Sequence, residues 1–65
     1  MKEYVEIVEG MFGYIHIHTE NEQIKTDLSW YTKNITVINK FARDGWKVVG
    51  YEKESILMER DKQDN

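Results

Sequence analysis

The two histidines are the residues best spaced to do chemistry. His16 and His18 lie in the alternating run Tyr14-Ile15-His16-Ile17-His18-Thr19. On a strand, residues two apart project to the same side, so both imidazoles could reach one Zn²⁺. Glu20 continues that face, and Glu6 or Glu9 from a paired strand could add a ligand. A zinc site needs three or four ligands, and the spacing specifies only two. Exposed or interface histidines are therefore the stronger reading, with a small metal-dependent enzyme at His16 and His18 as the alternative.

The carboxylates Glu3, Glu6 and Glu9 recur every third residue, which divides them between the two faces of a strand. Paired-carboxylate hydrolysis needs two carboxyl groups about 5–9 Å apart in a cleft, and a chain this short has little room for one. They read as a solvated acidic edge that discourages strand-to-strand aggregation. Ser29 and Ser55 are the only serines, and neither sits in a nucleophile-elbow sequence. Gly10, Gly13, Gly45 and Gly50 are too dispersed for a phosphate loop. Lys25, Trp30, Tyr31 and Lys33, with Lys40, Arg43 and Lys47, could form a basic surface with aromatics for stacking on single strands. The net charge of −3 argues against nucleic acid as a partner, and Trp30 and Tyr31 read more readily as core or lid. The expectation is no catalytic residue and no cofactor.

The elements that must position these side chains follow from composition. Seven Ile, five Val and four Thr, with eight aromatics and one alanine, favour strands and allow one helix. Residues 2–9 alternate as a strand, with Val5 and Ile7 on one face and Tyr4, Glu6 and Val8 on the other. Gly10-Met11-Phe12-Gly13 turns the chain into residues 14–19, completing a hairpin. Residues 20–33 fit neither period, leaving a third short strand or an irregular loop open. Residues 35–44 read as a helix whose apolar stripe is Ile35, Ile38, Phe41 and Ala42, with Asn34 or Thr32 as N-cap and Gly45 as a left-handed C-cap. Residues 46–53 and 55–60 read as two further strands, and Gly50 marks a bulge or a close approach. Gly45 and Trp46 are structural: the glycine ends the helix, and the indole covers Phe41 and Ile38 from beneath.

The block Ile38-Asn39-Lys40-Phe41-Ala42-Arg43-Asp44-Gly45-Trp46-Lys47-Val48-Val49 resembles the signature of the domain of unknown function 4177 family, small bacterial and phage proteins. The opening strand Tyr4-Val5-Glu6-Ile7-Val8 and the closing Ile56-Leu57-Met58-Glu59-Arg60 are similar to its ends. The resemblance covers about residues 3–9 and 35–60, and the Gly45-Trp46 junction is its most specific part. It implies a fold and no catalytic residues, and residues 10–33 depart from the family's shorter connection.

Together these readings predict an α+β domain over residues 1–60: an antiparallel sheet of three to four strands with one helix on one face, ββαββ-like, and a disordered tail at 61–65. The predicted strand order is first hairpin, last strand, Trp46 strand. The inner face would hold Val5, Ile7, Ile15, Ile17, Trp46, Val48, Ile56 and Met58. The outer face would hold Tyr4, Val8, Tyr14, Val49, Tyr51 and Leu57, too apolar to meet only water. Sixty-five residues without cysteine or proline have no disulfide staple, so assembly is the remaining one. The reading is a noncatalytic interaction module that self-associates through this face as a dimer or higher homo-oligomer. An intramolecular lid from residues 24–31 is one alternative, and a phage- or mobile-element-encoded inhibitor of a host protein is another. No apolar run approaches the roughly 20 residues of a membrane span, and the N-terminus has no signal-peptide core, so a cytoplasmic location is expected. Charge is uneven: residues 1–23 net −4, 24–47 net +3 and 48–65 net −2.

Overall fold

A computed structural model of the chain describes residues 1–62. Five strands, β1 (Lys2–Glu9), β2 (Tyr14–His18), β3 (Gln23–Ser29), β4 (Lys47–Glu52) and β5 (Ser55–Asp61), surround one helix, α1 (Trp30–Arg43). The strands form one sheet in the order β3-β2-β1-β5-β4, and every pairing is antiparallel. The predicted order of hairpin, last strand and Trp46 strand is present, extended by β3 to five strands rather than three or four. β1 is therefore the central strand, which corrects the reading of its glutamates as an edge.

The stretch 20–33 divides into a turn, a strand and the start of the helix. Thr19 organises the turn: its amide donates to the Glu22 carbonyl at 2.9 Å, and its hydroxyl accepts from the amides of Asn21 and Glu22 at 3.2 and 3.0 Å. That four-residue turn delivers Gln23 opposite His18. From there Ile24, Thr26 and Leu28 alternate with polar residues, a period-2 pattern that Thr26 obscures in the sequence. The helix begins at Trp30 with Ser29 at its N-cap, so Thr32 and Asn34 lie inside it.

The earlier start rotates the buried stripe. Trp30 and Val37 are buried, with Ile38 and Phe41 partly buried against the core, whereas Ile35 is 65% exposed. Trp30, Val37 and Phe41 are spaced by seven and four, one face of a helix. The helix closes as a Schellman motif. Gly45, at φ +92°, donates to the Ala42 carbonyl at 3.1 Å, and the Trp46 amide donates to the Phe41 carbonyl at 3.2 Å. The accompanying apolar contact is Phe41 on Trp46, edge to face with ring centroids 6.0 Å apart.

The core holds Val5, Ile7, Ile15, Ile56 and Met58 from the sheet with Trp30 and Val37 from α1. Cross-strand register aligns Ile24, Ile17, Ile7, Ile56 and Tyr51 in one row on this face. Two expectations, one for each face, change at β4. The register slips between Val48 and Gly50, so Val49 is the extra residue of a bulge. Beyond it Tyr51 pairs with Ile56, on the helix side rather than the outer face, and is 76% exposed. Val48, opposite Met58, is also exposed because α1 lies over β2 and β3. At the C-terminus Asp61 is the last residue of β5, and the Lys62 amide donates to the Met1 carbonyl at 2.8 Å. Of the expected tail, residues 63–65 lie outside the described residues.

Candidate interaction surface

The side of the sheet opposite α1 has no covering element among the described residues. Trp30 is buried in the core and Tyr31 lies in the first turn of the helix on the other side, so residues 24–31 do not form a lid over it. The uncovered face carries Tyr4 and Tyr14, each 43% exposed, and Leu57, 38% exposed, with Val8 half-buried. In register, Leu57 lies diagonal to both Tyr4 and Val8, and Val8 diagonal to Tyr14. Diagonal neighbours are within reach of aromatic and long side chains, so these residues form one apolar track across the three central strands. Val49 joins the face region only as the bulge residue of β4.

Polar groups flank the track. His18 lies opposite Glu6, with Nδ1 3.6 Å from Oε1. His16 lies opposite Val8 on one side and Lys25 on the other. A Cβ at Gly10 would sit 2.4 Å from the His16 ring, so the imidazole rests against bare glycine backbone. Glu9 pairs with Ile15 and therefore faces the helix side, away from both imidazoles. Among the described residues no three His, Asp or Glu side chains converge to hold a metal ion. The Lys2 ammonium is 3.0 Å from Asp61 and 4.0 Å from Glu59. That Asp61 contact raises the pKa of Lys2 and lowers that of Asp61.

On the helix side, Arg60 holds one end of the fold. Arg60 Nε donates to Glu3 at 2.7 Å and Nη1 donates to the Asp44 carbonyl at 2.9 Å. Its guanidinium lies 4.5 Å from the Trp46 ring centroid. One side chain thus fastens the helix exit to β1. At the other end, the nearby Glu9 carboxylate raises the Tyr31 phenol above its usual pKa. Glu3 is structural on this geometry, and the strand that carries Glu3 and Glu9 is not an edge.

Sequence spacing identified Tyr4, Val8, Tyr14 and Leu57 on one face and His16 and His18 beside them. It missed Arg60, whose partners are 57 and 16 residues away. The Gly45-Trp46 junction was the available signal, since an indole at a helix exit invites a cation. Of the two aromatics considered beside the basic residues, Trp30 is in the core and Tyr31 is exposed. No helix among the described residues is long and apolar enough to cross a membrane. Compared with protein-family models, curated proteins and solved structures, the chain matches none.

Proposed function

We propose that this chain is a noncatalytic protein-interaction module that self-associates through the outer face of its sheet. The observation that carries the reading is the continuous track Tyr4–Leu57–Val8–Tyr14 on a face that no other element among the described residues covers. A small domain gains most from burying such a track, since its own core shields a limited share of its surface. Tyrosines suit the role because the ring can be buried while the hydroxyl stays paired at the rim. The resemblance of residues 3–9 and 35–60 to the domain of unknown function 4177 family supports the fold and leaves this reading unchanged.

Light scattering after size-exclusion chromatography tests it. The expected mass is a multiple of 7.8 kDa that falls when Leu57→Glu or Tyr14→Glu places a charge on the track. A wild-type chain that stays at 7.8 kDa at the highest attainable concentration overturns the reading.

A further inference from the structure

A different surface, the free edge of β3, has a sequence that is complementary to itself. β3 is one of the two outermost strands. Its sequence, Gln23-Ile24-Lys25-Thr26-Asp27-Leu28-Ser29, is self-complementary about Thr26. His16 pairs with Lys25 and Tyr14 with Ser29, which puts Lys25 and Ser29 on the outer face; Ile24, Thr26 and Leu28 line the groove on the helix side, so by alternation Asp27 between them takes the outer face. A two-fold axis perpendicular to the sheet keeps each residue on its own face. An antiparallel partner centred on Thr26 then sets Lys25 opposite the partner's Asp27, twice, and Ile24 opposite the partner's Leu28, twice. Centring on Lys25 sets Ile24 against Thr26, and centring on Asp27 leaves Ile24 unpaired. Only the Thr26 register matches charge and apolar surface together.

Three observations support this edge. Ile24 and Leu28 are large apolar residues left more than one-third exposed. With Ile17, Val37 and Phe41 they line an apolar groove of about 360 Å³ between β3 and α1, and the partner's Ile24 and Leu28 would close its open side. Neither Lys25 nor Asp27 forms an ion pair among the described residues. β3 carries two extra residues between Lys25 and Ser29 relative to β2, and Thr26 bridges that gap. Its hydroxyl donates to the Ile15 carbonyl at 2.7 Å and accepts from the Leu28 amide at 3.2 Å. The opposite edge, β4, also carries an irregularity, at Val49, and its sequence Lys-Val-Val-Gly-Tyr-Glu is not self-complementary in the same way.

We infer that two copies of the chain join along β3 in antiparallel register about Thr26, with Lys25–Asp27 and Ile24–Leu28 as the cross-copy pairs. This contact is independent of the outer-face association proposed above. If both operate, their two-fold axes are perpendicular, and the assembly is two paired sheets stacked face to face.

Mass measurement on the full chain, with circular dichroism to confirm folding, separates the two contacts. With both present, wild type has four times 7.8 kDa. Asp27→Lys, which opposes lysine to lysine, halves that mass, and the exchange Lys25→Asp with Asp27→Lys restores it. Leu57→Glu also halves the mass, and the exchange does not rescue it. With the edge contact alone, wild type has twice 7.8 kDa, Asp27→Lys is monomeric and Leu57→Glu has no effect. A mass unchanged by Asp27→Lys, or one that the exchange fails to restore, overturns the β3 pairing.

Discussion

The two faces of the sheet are made by the same strands yet finish in opposite states. On the helix side, Val5, Ile7, Ile15, Ile56 and Met58 are at most 2% exposed under Trp30 and Val37. On the outer side, one residue along in each strand, Tyr4, Tyr14 and Leu57 keep more than a third of their surface in water. Both sets are apolar. What differs is that the described residues supply one α-helix, and a 14-residue helix can cover one face. The difference separates residues that the fold needs from residues that only an assembly would use.

Substitutions at the two faces test that separation, and the largest effect belongs to the core. Ile7→Ala, at 0% exposure on the central strand, is expected to cost about 2–5 kcal/mol. That approaches the whole stability of a small domain, so chemical denaturation should show a chain largely unfolded. A cost below about 1 kcal/mol would mean the helix side is not closed as described. Next comes Arg60→Met, which keeps the aliphatic stem and removes two charge-assisted hydrogen bonds and the stacking on Trp46. The partly exposed site limits the loss to about 1–2 kcal/mol. Arg60→Lys should recover little of it, because an ammonium cannot reproduce the flat fork.

Gly45→Ala isolates a backbone effect. A Cβ there meets nothing within 4 Å, so the penalty is purely the left-handed φ of +92°. It is expected to be about 1 kcal/mol, read from the denaturation midpoint. Leu57→Glu sharpens the contrast from the other side. It should change the stability of the monomer by less than about 0.5 kcal/mol at an open surface site, while lowering the assembled mass. The smallest effect is spectroscopic. Tyr31 is raised in pKa by Glu9, so Glu9→Gln should bring its phenolate absorbance in at lower pH. The folded value is above the unfolded one, so the contact stabilises below about pH 10 and is lost as pH rises through the folded pKa.

Much of this was legible because it is local. The alternation in residues 2–9 and 14–18 assigned Val5, Ile7 and Ile15 inward and Tyr4, Val8 and Tyr14 outward. Gly45 announced the helix end, where glycine alone takes that φ without penalty. Harder to read was the stretch containing β3 and the first turn of α1. A period-2 strand running directly into a helix leaves no turn residue to mark the change, and Ser29 serves as both strand end and N-cap. Missing that start displaced the helical stripe onto Ile35 and hid Val37. The β4 bulge had the same effect on Tyr51, since one inserted residue reverses every later side chain.

The sequence by itself determined the α+β class, the inward and outward sets of the central strands, the helix exit at Gly45-Trp46 and the absence of a disulfide staple. These depend on φ preferences and on periods of 2 and 3.6, which a few neighbouring residues express. Only the tertiary structure decided that β1 is central, that Arg60 joins Glu3 and Asp44 across 57 and 16 residues, and that α1 lies over β2 and β3. Contacts of that range depend on strand order and helix placement, which are settled when the whole core packs. The same packing leaves the outer track and the β3 edge uncovered, because the one available helix has been used on the other face.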